Sequence, residues 1–255
     1  MAKVGDHDYR AFVGPPEQYD LMGASQFSLL CALGLRESHR LLDIGCGSLR
    51  AGRLFIPYLA PGGYTGLEPN RWLVEEGVDK HLGHDVLALK APAFVHNDCF
   101  DLSGLDPFDF VVAQSIASHT GPTMTQSLLE AVRGALAPSG IAVVSLKHGH
   151  SDWTEEGWFY PGTARKGVVC YRPRTIEGWL EAAGLKGSPI AWFHPRLTWW
   201  AIVHQGTPLP PRLLRRQARG AMLPFRESWD VPYRLLVAVR TAKSKGRRAL
   251  IATRR

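Results

Sequence analysis

The sequence lacks the usual signs of a disulfide scaffold, a zinc site or a membrane protein. Its four cysteines, Cys31, Cys46, Cys99 and Cys170, lie far apart without a CxxC pair, so neither a disulfide framework nor a zinc knuckle is predicted. No apolar run approaches the roughly 18–20 residues of a membrane helix. The opening MAKVGDHDYR also lacks the apolar core of a secretory signal. We therefore expect a cytoplasmic protein without a transmembrane segment.

Acidic residues are scarce only in the last part of the chain. Residues 206–255 contain 13 of the 30 Lys and Arg residues but only 2 of the 23 Asp and Glu residues. The preceding part therefore has a small negative net charge, which disfavours a polyanionic substrate there. Three prolines in GTPLPP, residues 206–211, predict a linker. We expect one domain over residues 1–205 and a Pro-rich linker with a basic helical tail over 206–255.

The tail has several interpretations. Its basic segments are partly helical by pattern, with an apolar stripe at Leu235, Leu236 and Val239. Such a helix could pack on the domain or form a homodimer with a second copy. It could also attract nucleic acid or a membrane surface. The sequence favours the packed helix.

Apolar segments of two kinds alternate before residue 206. Strands are predicted over 40–45, 64–69, 93–98, 108–116, 141–146, 189–195 and 198–205. Helices are predicted over 17–35, 49–60, 71–83, 123–140 and 175–185. The pattern predicts an α/β fold with a Rossmann-like, mostly parallel seven-stranded sheet, helices on both faces and an antiparallel last strand. Ligands bind at the carboxyl ends of the strands in such folds.

The stretch LLDIGCGSLRAG, residues 41–52, predicts a strand, a tight turn and a helix. Gly45 and Gly47 allow the turn and the close approach of a ligand to the backbone. Glu68 ends the next strand, where a carboxylate accepts hydrogen bonds from ribose hydroxyls. Asp98 ends the third strand, where it could accept from an adenine amino group. The three features together indicate an adenosine pocket.

The turn departs from the dinucleotide-binding pattern G-x-G-x-x-G. Arg50 stands where the third glycine would permit close packing of helix on strand. Asp43 lies just before the turn, where it would repel a pyrophosphate but attract the ammonium group of an amino acid. Both residues favour S-adenosylmethionine over NAD, and they disfavour an oxidoreductase.

With these residues, the sequence resembles the class I S-adenosylmethionine-dependent methyltransferases. The similarity covers roughly residues 17–205 through LLDIGCGSLRAG, GLEPN, HNDCFDL, FDFVVAQSIASH and LLEAVRGALAPSGIAVVSL. GWFYPG and HPRLTWW are similar to segments of bacterial small-molecule and glycan-cluster methyltransferases. The resemblance implies methyl transfer from S-adenosylmethionine to an O or N atom of a small biosynthetic molecule. The product would be S-adenosylhomocysteine, and no metal is expected.

The resemblance also implies which residues bind the cofactor. Asp43, Gly45 and Gly47 would line its methionine side, Glu68 and Asn70 its ribose, Asp98 and Cys99 its adenine, and Gln114 and Ser115 its sulfonium and carboxylate. The predicted helix 17–35 would be a lid, with Tyr19 and Gln26 as its polar contacts or, equally, as packing residues.

The residues that bind and deprotonate the methyl acceptor are expected in the loops after the fourth and fifth strands. His119 and His148 are candidate general bases, because histidine titrates near neutral pH. His150, Trp158 and Tyr160 are candidate substrate-binding residues in loops that would border the acceptor. The sequence HGHSD begins a metal-binding pattern, but Trp153 replaces its last histidine, so no metal site is predicted.

Two other functions are compatible with the sequence. A nucleic-acid methyltransferase could use the basic tail, but AQSI stands where amino-directed DNA enzymes carry (D/N)PP(Y/F). The Pro-Cys pair of cytosine-C5 enzymes is also absent. The second alternative is a non-catalytic cofactor-binding or scaffold protein.

Overall fold

The computed structural model describes residues 2–159 and 169–210. Seven strands form one sheet: β1 (Leu41–Ile44), β2 (Tyr64–Leu67), β3 (Ala93–Val95), β4 (Phe108–Ala113), β5 (Leu136–Leu146), β6 (Leu185–Ile190) and β7 (Thr198–His204). Their order is β3-β2-β1-β4-β5-β7-β6. The strands from β3 to β5 are parallel, and β7 lies antiparallel between β5 and β6. The Rossmann-like, mostly parallel sheet with an antiparallel last strand is confirmed.

Six α-helices accompany the sheet in the described residues. They are α1 (Tyr19–Ala32), α2 (Gly52–Tyr58), α3 (Arg71–Gly77), α4 (His84–Lys90), α5 (Pro122–Ala135) and α6 (Pro173–Ala182). A π-helical turn, Val78–Leu82, follows α3 directly. Only α4 had no counterpart in the predicted elements. It buries no side chain, so its sequence lacks the apolar stripe that marks a packed helix.

Both faces of the sheet are buried. Neighbouring residues of a strand point to opposite faces, so each strand contributes side chains to both apolar clusters. Leu42 and Ile44 belong to the apolar cluster that includes residues of α5 and α6. Leu41 belongs to the cluster on the other face, with residues of α1 and α2. Trp199 and Trp200 are both fully buried, one in each cluster. Strands of this kind are nearly continuous apolar runs, as β1 and β4 are apart from Asp43 and Asp109.

The position of β6 differs from the predicted strand over residues 189–195. The strand begins at Leu185 and ends at Ile190, although it contains Gly187 and Pro189. Because β6 is the edge strand of the sheet, a proline there interrupts no second ladder. Residues 191–197 leave the sheet. The indole N–H of Trp192 donates to the backbone oxygen of Ser25, at 3.1 Å, and so ties this segment to α1.

The predicted basic helical tail lies almost entirely outside the described residues. Only its first five residues, 206–210, are described. Here the hydroxyl of Thr207 donates to the backbone oxygen of Pro138, at 2.8 Å. The predicted domain boundary therefore stays a prediction. Among residues 2–159 and 169–210, no helix has the length and apolar character needed to cross a bilayer.

Two helical glycines differ sharply in their surroundings and provide a test of this packing. A Cβ on Gly23 would overlap the backbone oxygen of Arg50, whereas a Cβ on Gly178 would meet no atom within 4 Å. We expect Gly23→Ala to lower the free energy of unfolding by about 1–3 kcal/mol, because the backbone carbonyl has little room to move. Gly178→Ala in α6 should raise it by about 0.5–1 kcal/mol through helix propensity.

Urea denaturation of the two variants and the unchanged protein measures both effects. Equal changes in the two variants would contradict the close approach of α1 to the segment before α2.

Candidate active site

A cavity of about 350 Å³ opens at the carboxyl ends of β1, β2 and β4. Nine of the sixteen residues predicted for binding or catalysis line it: Gly45, Gly47, Glu68, Asn70, Asp98, Gln114, Ser115, His119 and Trp158. These residues come from five separate segments of the chain. The parallel strands bring them together because their carboxyl ends lie on one edge of the sheet.

The glycine turn after β1 forms the floor of the cavity. Gly45 and Gly47 have φ values of +73° and +55°, in the region that favours glycine. A Cβ on Gly45 would overlap the side chain of Ile116, and one on Gly47 would overlap that of Val13. Glycine is therefore required at both positions for conformation and for space.

Glu68 is held in position before any ligand binds. One carboxylate oxygen accepts from the backbone N–H of Gly47, at 3.1 Å. The other accepts from both the backbone N–H and the side-chain amide of Asn70, at 3.0 and 2.8 Å. Each carboxylate oxygen has more than one acceptor direction, so Glu68 retains capacity for hydroxyl groups of a ligand in the cavity. Asn70 acts on this site at least partly by orienting Glu68.

Asp98 follows β3 at the edge of the cavity, and it is exposed. Its neighbour Asn97 shapes the loop, because its side-chain oxygen accepts from the backbone N–H of Asp101 and its amide donates to the backbone oxygen of the same residue. Phe100, with a φ of +59°, turns a buried ring toward this part of the cavity. Cys99 is exposed and does not line the cavity.

Gln114 and Ser115 follow β4 directly. The backbone N–H of Ser115 donates to the hydroxyl of buried Ser145, at 2.7 Å, which holds Ser115 at a φ of +62°. The side-chain nitrogen of Gln114 is placed 3.5 Å from Nε2 of His194, and its side-chain oxygen is buried with no hydrogen-bond partner in the described residues.

The surroundings of His194 determine which atom of Gln114 faces it. His194 Nδ1 accepts from the backbone N–H groups of Arg196 and Leu197, at 3.2 and 3.0 Å. Burial, with the charges of Arg196 and Arg50, lowers the pKa of His194 to about 3. The neutral ring therefore carries its hydrogen on Nε2 and donates it. The amide oxygen of Gln114 is the matching acceptor, since the two atoms of an amide are assigned from their hydrogen bonds.

His119 is held above the cavity by the segment around Phe159. Its Nδ1 lies 2.7 Å from the backbone oxygen of Phe159, which accepts only, so Nδ1 is the protonated nitrogen. Burial lowers the pKa of His119, partly opposed by this hydrogen bond. The neutral ring then has its lone pair on Nε2, the form that accepts a proton.

The cavity is covered by the chain before α1. Val4, Phe12, Val13 and Gly14 line it, and we term residues 4–14 the N-terminal strap. The hydroxyl of Ser48 donates to the backbone oxygen of Tyr9, at 2.6 Å, and Arg50 donates to that of Val13, at 2.7 Å.

Helix α1, the predicted lid, lies beside the cavity. Tyr19 is buried against the turn before α2, with its hydroxyl 2.8 Å from the backbone oxygen of Ser48. Gln26 is buried, and neither side chain lines the cavity. Of the two roles left open for Tyr19 and Gln26, the geometry favours packing.

Three other predicted residues lie away from the cavity wall. Asp43 is buried behind the glycine turn and accepts from the hydroxyl of Tyr64, at 2.9 Å. Burial raises the pKa of Asp43 to about 6. His148 Nε2 accepts from the indole N–H of Trp200, at 2.9 Å, so this lone pair is engaged. His150 is exposed, and Tyr160 lies outside the described residues.

Several cavity residues had no predicted role. Arg50 was considered only as a substitute for glycine, and the strap residues lie in a segment without periodicity. Arg196 and Leu197 belong to HPRLTWW, whose similarity to other methyltransferases was the only sequence signal for that segment. In the described part of the chain, no group of three or more His, Cys, Asp or Glu side chains could hold a metal ion.

Residues 42–142, from β1 into β5, match a protein-family profile described as a methyltransferase domain. The similarity to a methyltransferase domain thus covers 101 of the 255 residues. No curated protein matches the chain significantly in sequence. The resemblance inferred from the sequence motifs is thus confirmed at the level of the domain.

Solved structures of several methyltransferases share the fold of this chain. A magnesium protoporphyrin IX methyltransferase from Synechocystis PCC 6803 is 15% identical, with a TM-score of 0.56 over 79% of this chain and 91% of its own. The CcbJ methyltransferase from Streptomyces caelestis is 15% identical, with a TM-score of 0.56 over 75% and 91%. An amino pentose methyltransferase from Micromonospora echinaspora is 14% identical, with a TM-score of 0.53 over 73% and 92%. At these identities the comparison establishes the fold.

The low pKa of His194 predicts a pH dependence of stability. Its folded pKa of about 3 lies below the ordinary value near 6.5. Between these values the unfolded chain binds more protons, so stability decreases as the pH falls below about 6.5. One such group changes the free energy of unfolding by up to about 1.4 kcal/mol per pH unit.

We expect His194→Asn to reduce this slope by about 1 kcal/mol per pH unit, because asparagine keeps an acceptor but does not titrate. Urea denaturation at pH 4.5, 5.5 and 7 measures it. His150→Asn, at an exposed position, is the control. An unchanged slope in His194→Asn would show that His194 is protonated in the folded protein.

Proposed function

We propose that this protein transfers a methyl group from S-adenosylmethionine to an oxygen or nitrogen atom of a small biosynthetic molecule. The observation that carries the proposal is the position of Glu68, fixed by Gly47 and Asn70 beside a glycine turn that has no room for side chains. A carboxylate at this position suits the two hydroxyls of a ribose. The methyltransferase family match supports the same donor.

The residues of the cavity fit this cofactor along its length. Glu68 would bind the ribose and Asp98 the adenine amino group, with Phe100 against the ring. The amino acid part would lie at the glycine turn and near Gln114. Some of the molecules with this fold are described with S-adenosylmethionine or S-adenosylhomocysteine bound. A volume of about 350 Å³ is within the ordinary range of small-ligand pockets, about 300–1,000 Å³.

Bound S-adenosylmethionine supplies a methyl group on a positively charged sulfur, which makes that carbon open to displacement. The protein's main contribution is then to hold the acceptor atom in line with the carbon. Trp158, Ile116 and Leu197 give the cavity apolar walls that exclude water.

His119 is the candidate general base. Its Nδ1–H bond to Phe159 fixes the tautomer in which Nε2 accepts a proton, and its lowered pKa keeps it neutral near pH 7. An acceptor hydroxyl would form its bond to the methyl carbon as the carbon–sulfur bond breaks, and its proton would pass to His119. An amine acceptor would release its proton after the transfer.

The donor assignment is tested first by calorimetry with S-adenosylhomocysteine and NAD. We expect S-adenosylhomocysteine to bind and NAD not to bind. NAD binding without S-adenosylhomocysteine binding would refute the proposal.

We expect Glu68→Gln to weaken S-adenosylhomocysteine binding about 10- to 100-fold. The amide would lose a charged acceptor and would place a donor against the N–H groups of Gly47 and Asn70. Glu75→Gln, an exposed change on α3, should bind as the unchanged protein does. Equal affinity in both variants would mean that Glu68 does not bind the ribose.

We expect His119→Asn to reduce methyl transfer to a hydroxyl acceptor about 10²- to 10⁴-fold. The assay follows labelled methyl from S-adenosylmethionine into a small-molecule extract and, separately, into total RNA. His84→Asn, at an exposed position on α4, is the control. Since only the neutral ring accepts a proton and its pKa is lowered, the acid limb of kcat/KM should lie below pH 6.5. An unchanged rate in His119→Asn would remove the base role, and labelled RNA alone would favour the nucleic-acid alternative.

A further inference from the structure

Two arginines face the same cavity, and neither has a carboxylate partner in the described part of the chain. Arg50 donates through one terminal nitrogen to the backbone oxygen of Val13, at 2.7 Å, while its Nε is buried without an acceptor. Arg196 is exposed at the cavity's edge, and within residues 2–159 and 169–210 its side chain forms no ion pair. Unpaired guanidinium groups of this kind are suited to bind anions.

The positive charges are concentrated at one end of the cavity. Burial lowers the pKa of Arg50 to about 10; Tyr19 and Asp43 oppose this shift, and the charge of Arg196 adds to it. The same Arg196 charge contributes to the lowered pKa values of His194 and His119. All three groups are therefore within electrostatic reach of Arg196.

The acidic residues of the cavity lie at the other end. Asp98 and Glu68 follow β3 and β2, which come before β1 and β4 in the sheet order. Neighbouring strands are about 4.8 Å apart, so Glu68 is separated by two strand spacings from Gln114, after β4. In the described part of the chain these carboxylates form no ion pair with either arginine, and buried Asp43, behind the glycine turn, only partly offsets the charge of Arg50.

The proposed cofactor increases this positive charge. S-adenosylmethionine contains a sulfonium and an ammonium group but only one carboxylate. That carboxylate would neutralise one guanidinium, and Arg50, at the glycine turn, is placed for it. A neutral acceptor would leave Arg196 unpaired at the edge of a cavity that also holds a sulfonium, and the two like charges would repel each other.

We propose that Arg196 binds an anionic group, a carboxylate or a phosphate, on the methyl acceptor. The rest of the acceptor is apolar, because Phe12, Trp158 and Leu197 supply apolar surface to the same cavity. This inference rests on the proposed function, since it concerns the second substrate of that reaction.

The test uses three small probes of similar shape: benzoate, phenyl phosphate and the uncharged benzamide. Each is titrated by NMR into the full-length protein saturated with S-adenosylhomocysteine. We expect benzoate or phenyl phosphate to bind at least about tenfold more tightly than benzamide, as one hydrogen-bonded ion pair provides. The tighter of the two anions identifies which group Arg196 accepts.

Arg196→Gln should reduce the affinity for the anion to that for benzamide and leave S-adenosylhomocysteine affinity unchanged. Arg174→Gln, which removes an exposed charge from α6, should bind all probes as the unchanged protein does. Equal binding of the three probes, or an anion affinity that Arg196→Gln does not lower, would overturn the proposal. Weaker S-adenosylhomocysteine binding in Arg196→Gln would also overturn it, because Arg196 would then serve the cofactor. Failure of the unchanged protein to bind S-adenosylhomocysteine would refute the proposed function itself.

Discussion

The hydrogen bond from the backbone N–H of Gly47 to the carboxylate of Glu68 is the contact on which the candidate site depends. It joins the turn after β1 to the end of β2 and is possible because the turn is left-handed at Gly45 and Gly47. The same conformation brings the turn close to Ile116 after β4 and to Val13 of the strap. One backbone conformation therefore sets the distances among four segments of the cavity wall.

The sequence predicts a site residue well where the fold and the ligand chemistry both require that residue type at that position. Gly45, Gly47, Glu68 and Asp98 occupy the ends of apolar strands, and the parallel sheet brings strand ends together. The periodic segments are placed within a few residues, apart from β6. An edge strand tolerates both Gly187 and Pro189, so β6 begins before the predicted strand over 189–195. Residues 191–195 were predicted as strand, although Trp192 contacts α1, and the next residues, Arg196 and Leu197, line the cavity.

The remaining cavity residues depend on tertiary contacts that no local pattern carries. The strap is held by hydrogen bonds from Ser48 and Arg50, which are distant in sequence. His194 reaches Gln114 across 80 residues. Two of the predicted histidines likewise differ only in their surroundings. His119 faces the cavity with one nitrogen fixed by Phe159, whereas Nε2 of His148 is occupied by Trp200.

The strap is attached through its main chain. Ser48 and Arg50 donate to the carbonyl groups of Tyr9 and Val13, and a carbonyl is present whatever side chain a residue carries. Side chains of the strap that face the cavity, such as Phe12, are therefore not needed for these two attachments. An evolving enzyme could exchange them to admit a different acceptor while the cover over the cavity stayed in place. In this fold, the closing of the pocket and the choice of its substrate are thus separable in sequence.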